Sequence, residues 1–571
     1  MPIFIQVQCT TRWRNNNYVI SDGILPYQRC NSSDFYPGAV PILSTFTINN
    51  VVHDLFISAV STWGVSKVSG EPEKLTSIDM LTFYNPKNTP CKLASGDHCA
   101  VNAIGVNKIE DLPYIECIAN NNRVNGVWNF SKLFDPNEVI NTIPKDMAGD
   151  IYNFGFFREN MMSPTLVTIT CPFNDVALLL NSDKFDIVLN FKDRYNNNSS
   201  SSHNISSTII DICYEHVEKM NDMVVCTEPL YGFTEHGSNI YWHGVPPFNH
   251  NLLDAFLMYH FDIHKASIML YQLHSNDNKD ELYDFLKAHD YDKGYDLKFR
   301  NGWNYPDLHH YPHYKNNYFF ECIAESTCMW ENRFRSKYFI ILHAMDNFIL
   351  PAKFNNTLVD IVKTLENDYK NVSGFLVPII NAYSSDEIHA EHAKYENKNV
   401  LLRYNRLSNE YIYLDNRHTP MGNPRHFASS FVHWLPFVNP AFTTILHFYE
   451  TFQKLKLHTV HIMGLTRKIY NKIGSGYTDV WYDELGNRLQ KLLHEHTRIS
   501  RLRLNNKIIK IHNQAEIFYL ANGTRHSIPD FDTFNAMKFD LSKVILVSID
   551  FMQSIPLGLF FIVFVLSNVS H

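Results

Sequence analysis

Short apolar stretches separated by Asn, Pro and Gly occupy positions 41–215 of the chain. They include AVPILSTFTI, HDLFISAV, LTFYN, TLVTITCPF and FDIVLNF, and their alternation and β-branched content predict strands. NNNSSSS at 196–202 is a low-complexity stretch that marks a boundary. We therefore predict an irregular N-terminal segment over 1–40 and a β-rich region over 41–215.

A different rhythm begins after that boundary. Buried-strand patterns (MVVCTEPLY, KASIMLYQL, YDLKFRNGW, KYFIILHAM) alternate with helical patterns (LLDAFLMYHFDI, DELYDFLKAHDY, ECIAESTCMW). Such alternation is typical of βαβ units, so we predict an α/β domain with a mainly parallel sheet and flanking helices over 216–440. Open sheets of this class bind ligands at the carboxyl ends of their strands, and Asp346 follows KYFIILHAM.

Three further pieces complete the predicted organisation: a helical segment over 441–504, a small α+β module over 505–558 and a hydrophobic tail over 559–571. In the module, Asn522-Gly523 predicts a hairpin turn and Asp530 the N-cap of a short helix. The apolar run from Ile555 to Leu566 is too short to cross a bilayer as a helix, and the first residues lack the pattern of a signal peptide. Membrane association would therefore require an anchor that is not visible in this chain.

Composition narrows the function classes. The 571 residues carry a formal net charge of −8 without long basic runs, which argues against a nucleic-acid partner. The sequence lacks G-x-S-x-G, the phosphate-binding loop G-x-x-x-x-G-K-[ST], a G-x-G-x-x-G after a strand, and H-E-x-x-H. These absences argue against the commoner hydrolase, kinase, dinucleotide-binding and zinc-protease classes.

Cysteines and glycosylation sequons suggest the compartment. The chain has ten cysteines and no C-x-x-C motif. N-x-[ST] sequons begin at Asn31, Asn129, Asn197, Asn198, Asn204, Asn355, Asn371, Asn522 and Asn568. Together they favour disulfide bonds and the secretory pathway.

Seven pieces of the chain occur in a characteristic order. They are CTEPLYG (226–232), LLDAFLMYHFDIHKASIMLY (252–271), LYDFLKAHDYDKGYDLKFRNGW (282–303), ECIAESTCMW (321–330), KYFIILHAMDNFILP (337–351), KNVLLRYNRL (398–407) and SSFVHW (429–434). In this order they resemble glycosyltransferase family 92. The resemblance implies a GT-A-like (Rossmann-like) fold and an inverting, metal-assisted transfer of a hexose, galactose from UDP-galactose, to a glycan acceptor in the Golgi lumen or membrane, or in a secreted form.

The resemblance also implies a metal and donor site. The family pattern D-x-D-E-[FI]-x-x-P is present as Ala344, Asp346 and Asn347 followed by FILP. Asp346 would bind Mn²⁺ and His433 would be the second ligand, with His418 and His426 as substitutes. Tyr231, Asp346 and Asn347 would contact the sugar-nucleotide donor. Because two acids of the pattern are replaced, one carboxylate remains where Mn²⁺ is usually held by two.

The acceptor hydroxyl needs a general base, and Asp386 and Glu387 are the candidates. The lost acids leave an alternative open, a catalytically inactive glycan-binding or adhesion protein. An unrelated α/β protein is the third interpretation. Finally, the NG-x-RH-x-IPD-x-x-TF core and terminal IP-x-G over 522–558 resemble a small module appended to many extracellular proteins.

Overall fold

The computed structural model describes residues 18–19, 27–30, 42–48, 51–67, 75–86, 113–130, 165–173, 183–192, 204–214, 220–230, 250–272, 286, 296–300, 317–342, 345, 347–351, 357–369, 372–383, 406–411, 418–427, 444–446, 457–462, 477–478, 491, 504–511, 514–547, 552–553 and 555–558. Strands contain 59% of these residues and helices 23%. The described part of the chain is therefore mostly β-sheet, arranged in three sheets.

The first sheet has ten strands, and every pairing within it is antiparallel. The strands are β1 (Tyr18–Val19), β2 (Tyr27–Arg29), β3 (Ile42–Ile48), β4 (Val51–Lys67), β5 (Leu75–Pro86), β6 (Tyr114–Ala119), β7 (Asn122–Phe130), β8 (Thr165–Phe173), β9 (Lys184–Lys192) and β10 (Asn204–Tyr214). Strand β4 pairs with both β2 and β5, so the order β4-β2-β10-β9-β6-β7-β8-β5 returns to β4. Because β2 meets β4 at a single residue pair, the ring is nearly closed.

The interior of this ring is apolar because its strands alternate between two faces. In β9, Phe185, Ile187, Leu189 and Phe191 point inwards and are almost fully buried, while the residues at 184 and 186 are exposed. Each such side chain contributes about 1.5–3 kcal/mol by leaving water. This core stabilises the nearly closed sheet.

A disulfide joins β6 to β8 across the intervening strand. The Cys117–Cys171 bond has a Cα–Cα distance of 5.9 Å, and both residues are fully buried. On β7 between them lies Gly126, where a Cβ atom would meet Cys117 Sγ at 3.0 Å and the Ile115 side chain at 2.8 Å. Glycine is therefore required for this strand to pass beside the bond.

The second sheet has eleven strands. Its elements are β11 (Asn221–Leu230), α1 (His250–Met258) continued by a π-helical turn (Tyr259–Ile263), β12 (Ser267–Gln272), β13 (Leu297–Arg300), α2 (Asn317–Glu331), β14 (Ser336–Leu342), β15 (Asn347–Pro351), α3 (Leu358–Asp368), β16 (Val372–Tyr383), β17 (Arg406–Tyr411), β18 (His418–Gly422), a 3₁₀ turn (Pro424–His426), β19 (Thr444–Leu446), β20 (Leu457–Ile462) and β21 (Tyr477–Thr478). No helix in the described part of the chain is long and apolar enough to cross a membrane.

The prediction of a mainly parallel α/β, GT-A-like fold is wrong. Strands β13, β12, β11 and β14 are parallel neighbours. Across the second sheet, however, five strand pairs are parallel and five are antiparallel, and the first sheet is a near-closed antiparallel ring. The alternation of strands and helices stops after β14, and among the described elements of the second sheet beyond it only α3 separates strands as an α-helix. Strands joined without a crossover helix return antiparallel.

Two other sequence predictions meet the structure only in part. Within 441–504, predicted as helical, the described residues form the short strands β19, β20 and β21, and residue 491 is helical. The helix predicted from DELYDFLKAHDY lies outside the described residues except for Leu286, which is helical.

Two further disulfides tie elements together. Cys30, directly after β2, bonds Cys213 of β10, and Cys226 of β11 bonds Cys328 of α2. The three bonds in the described part of the chain close loops of 183, 54 and 102 residues. Disulfides persist in oxidising compartments, so they are consistent with a secreted or lumenal protein.

A buried charge pair lies where the two large sheets meet. Helix α2 contacts both β4 and β11. Arg333, in the turn after α2, is buried, donates to the carbonyl oxygens of Pro424 and Phe427, and covers the Trp330 ring at 4.3 Å. Asp79 of β5 is buried too and accepts hydrogen bonds from Thr170 and Ser77.

The two charges partly compensate each other. Burial raises the pKa of Asp79 to about 6, and the nearby Arg333 cation opposes that shift. Burial also lowers the pKa of Arg333 to about 9, which the Asp79 carboxylate opposes. At neutral pH the Asp79 carboxylate and the Arg333 guanidinium are both charged. The anion lies on the first sheet, and the cation lies in the turn that leads into the second.

The third sheet belongs to the C-terminal module. Its strands β22 (Ile508–Ile511), β23 (Ile517–Ala521), β24 (Thr524–Ile528) and β25 (Val544–Val547) are ordered β24-β23-β22-β25, with α4 (Phe531–Ala536) and a 3₁₀ turn (Leu541–Lys543) before β25. The predicted hairpin turn is confirmed, because Asn522 and Gly523 adopt φ of 49° and 74° between β23 and β24. The predicted cap is also confirmed, since the Asp530 side chain accepts from the Thr533 N–H.

The other signature residues of the module form its closing contacts. Arg525 pairs with residues 556–558 on the open side of β24: its N–H donates to the Pro556 carbonyl, and its carbonyl accepts from the Gly558 N–H. The Arg525 guanidinium donates to the Met552 carbonyl. His526 packs against Gly558 so closely that a Cβ atom there would lie 2.5 Å from the ring. The N-G-x-R-H and I-P-x-G motifs therefore interlock.

Replacing Asp79 by Asn should remove one pH-dependent component of stability. Its pKa is about 6 instead of 3.8, so the protonated group stabilises the folded state below about pH 4, and that stabilisation is lost as the pH rises to about 6. The difference corresponds to roughly 3 kcal/mol. In urea denaturation between about pH 4 and about pH 6.5, the free energy of unfolding should fall less steeply for Asp79→Asn than for the wild type.

The matched control is Asp186→Asn, which removes an exposed carboxylate from β9. Its pH profile should follow that of the wild type. Parallel profiles for wild type and Asp79→Asn would contradict the assignment.

Gly558→Ala should destabilise the module by about 1–3 kcal/mol, because the new Cβ would overlap the His526 ring. Native-state hydrogen exchange at the amides of β22 and β24 measures this loss. Adding His526→Ala to Gly558→Ala should recover part of the lost stability. Gly523→Ala is the comparison: it adds strain at positive φ but meets no atom within 4 Å, so His526→Ala should not rescue it.

Candidate functional site

Several strands of the second sheet end at the same edge of the sheet. Strands β11, β12, β13 and β14 are parallel, and β16 runs in the same direction because β18 is antiparallel to both β14 and β16. We call the side defined by their last residues the carboxyl edge; these residues are Leu230, Gln272, Arg300, Leu342 and Tyr383. Strand β15 begins at this edge, because it is antiparallel to β20, which is parallel to β16.

The predicted site residues follow these strand ends along the chain. Tyr231 is the residue after β11, and Asp346 is the residue before β15. Asp386 and Glu387 come three and four residues after the end of β16. These four residues lie outside the described part of the chain, but the strand ends that flank them meet at the carboxyl edge.

Asn347 is the one predicted donor-binding residue that the structure describes. It is the first residue of β15, and its side chain is only 5% exposed. Met345, on the other side of Asp346, is fully buried. The amide of Asn347 therefore lies within the protein, where a glutamate, the acid of the family pattern, would bury a charge.

The predicted histidine ligands divide between the two edges. His433 lies outside the described residues, and the described elements on either side of it, the turn at Pro424–His426 and β19, both lie at the edge opposite the carboxyl edge. His426 is itself at that opposite edge, where burial and then the Arg425 charge lower its pKa to about 3. His418 begins β18, so its backbone lies at the carboxyl edge.

A polar row next to Asp346 was missed by the sequence analysis. Across the sheet, Asn347 of β15 is paired with His461 of β20, and His461 is paired with Asn381 of β16. Strand register therefore places residues 347, 461 and 381 in one row across the sheet, one position from Asp346 along β15. The alternating pattern LHTVHI at 457–462 was the available signal, but these residues fell in the segment predicted as helical.

The π-helical turn after α1 contacts strand β15 and supports its backbone. The Tyr259 hydroxyl and His264 Nε2 both donate to the Ile349 carbonyl, the latter at 3.2 Å. His260, one residue after Tyr259, stacks on Phe348 with ring centroids 5.8 Å apart. Burial, with the neighbouring His264, lowers the pKa of His260 well below its ordinary value, so this imidazole stays neutral. The turn thus fixes the backbone that follows Asp346.

Asn347, the one described residue of the predicted donor site, is an uncharged and buried amide, whereas a hard divalent cation prefers several carboxylate oxygens. Within the described residues, no three His, Cys, Asp or Glu side chains are grouped as metal ligands. Asp346 and His433 are not among the residues to which that statement applies.

No protein-family model matches the chain, and no curated protein matches it.

Tyr259→Phe should loosen β15 by removing one of the two donors to the Ile349 carbonyl, at a cost of about 1 kcal/mol. Faster hydrogen exchange at the β15 amides would report the change. Tyr338→Phe makes the same substitution at another buried tyrosine of this core and should leave β15 exchange unchanged. Equal effects of the two variants would contradict a specific support of β15.

Proposed function

We propose that the chain is a glycosyltransferase that moves a hexose, galactose from UDP-galactose, to a glycan acceptor with inversion. One observation carries the proposal. The strands that lead to Tyr231, Asp386 and Glu387, and the strand that follows Asp346, all reach the carboxyl edge. The same edge is where parallel strands commonly place ligand-binding residues. The ordered resemblance to family 92 supplies the reaction class, and the Golgi lumen is the proposed place of action.

Inversion requires a displacement at the anomeric carbon of the donor sugar. Asp386 or Glu387 would take the proton of the acceptor hydroxyl, whose oxygen would bond to that carbon. The bond from the carbon to the diphosphate oxygen would break, and UDP would leave with the electron pair. Tyr231 and Asn347 are the residues that the resemblance implies for contact with the donor.

Mn²⁺ would supply charge neutralisation at the leaving diphosphate, with Asp346 as its proposed ligand. Asn347 does not fit as an anionic second ligand, since it is a neutral and buried amide. His433, the second ligand implied by the resemblance, lies outside the described part of the chain. The steps above are therefore assigned to side chains alone.

One observation favours the second function, a non-catalytic glycan-binding or adhesion protein. Both lost acids, at Ala344 and Asn347, are replaced by uncharged residues, and Asn347 is buried in the strand. Uncharged residues at these two positions would not supply the carboxylates that usually hold a cation against the diphosphate. This function would use the same edge.

Calorimetry with UDP, in the presence and absence of Mn²⁺, tests the transferase. We expect binding that depends on Mn²⁺ and that falls by about tenfold or more in Asp346→Ala, because the ligand carboxylate is lost. Asp368→Ala, an exposed carboxylate at the end of α3, is the control and should bind as wild type does. A chain that binds UDP in neither condition is not this transferase.

Restoring the first acid separates the two functions. Ala344→Asp adds a carboxylate two residues before Asp346 without burying a charge at Asn347. Galactose transfer to a mixed-glycan acceptor in the wild type supports the enzyme. Transfer that arises only in Ala344→Asp supports the non-catalytic protein.

A further inference from the structure

The hairpin tip of the C-terminal module carries a glycosylation sequon in an open position. Asn522, Gly523 and Thr524 form N-G-T, with Asn522 and Gly523 as the two turn residues. The Asn522 side chain is exposed. A Cβ atom placed on Gly523 would meet nothing within 4 Å, so the space around the tip is solvent.

Turn geometry alone accounts for part of this sequence. Asn and Gly are favoured at a two-residue turn because both positions require positive φ. Thr524 has a local role too: its hydroxyl donates to the Ala521 carbonyl at 2.8 Å and lies 2.9 Å from His526 Nε2. The folded hairpin therefore tolerates every residue of the sequon, and it keeps the acceptor amide outside the contacts that hold the module together.

The position differs from the other sequons that the structure describes. Asn129 lies in β7 opposite Thr168, and Asn204 begins β10 opposite Lys192, so both belong to paired strands. At Asn522 the chain reverses direction, and a large substituent would extend away from both strands of the hairpin. The three disulfides are consistent with a compartment in which such a modification is made.

We propose that Asn522 carries an N-linked oligosaccharide. The co-reactant is a lipid diphosphate-linked oligosaccharide of the secretory pathway. The side-chain amide nitrogen bonds to the first carbon of the first sugar, and the bond from that carbon to the diphosphate oxygen breaks. The amide loses one proton and the lipid diphosphate is released. The glycan then projects from the β23–β24 tip into solvent.

The experiment uses the full chain directed into the secretory pathway of cultured animal cells. Trypsin releases residues 511–525 as one peptide, in which Asn522 starts the only sequon. We expect most of this peptide to carry a glycan in mass spectrometry. Peptide-N-glycosidase in ¹⁸O-labelled water should convert it to the labelled Asp form, which distinguishes the glycan from spontaneous deamidation at Asn-Gly.

Three variants define the outcome. Thr524→Ser keeps the hydroxyl and should remain modified, whereas Asn522→Asp and Thr524→Val should lose the modification. Asn522→Asp keeps a residue that tolerates positive φ, so the module should still fold. If a variant is not secreted, the modification state of the wild-type 511–525 peptide still tests the proposal. A secreted, disulfide-bonded wild type whose 511–525 peptide is mainly unmodified overturns the proposal.

Discussion

The buried cation Arg333 is the constraint on which the meeting of the two large sheets depends. Its guanidinium has left water, and it is compensated by two backbone carbonyls, the Trp330 ring and the Asp79 carboxylate. Three of these partners belong to the second sheet and its turns, and the fourth to the first. Burial opposes the ionisation of Asp79, so the carbonyls of Pro424 and Phe427 and the Trp330 ring are the contacts that stabilise the cation where the two sheets meet.

The same junction positions the candidate site indirectly. Arg333 binds the turn after β18, at the edge opposite the carboxyl edge. Tyr259 and His264 hold β15, the strand that begins at the carboxyl edge. The two sets of contacts hold β18 and β15, two strands of the second sheet that are not paired with each other. Residues 347, 461 and 381 share one register row of the same sheet, one position from Asp346 along β15.

The C-terminal module shows how a sequence signature arises from packing. Asn522 and Gly523 supply positive φ, Asp530 caps α4, and Gly558 leaves room for the His526 ring. The turn and the cap could be predicted because each depends on residues close together in sequence. The contacts of Gly558 with His526 and of Arg525 with residues 556–558 could not, since they join residues about thirty positions apart.

Local rules therefore determined much of this protein. Period-two and helical patterns located β11, α1, β12, β13, α2 and β14, because each pattern reflects which face of one element leaves water. Tertiary structure alone decided the rest. A buried apolar strand has the same pattern whether its neighbour is parallel or antiparallel, so the ring of the first sheet and the mixed second sheet were not readable from the chain. The row that joins Asn347, His461 and Asn381 exists only through strand register, which depends on pairings between segments far apart in sequence.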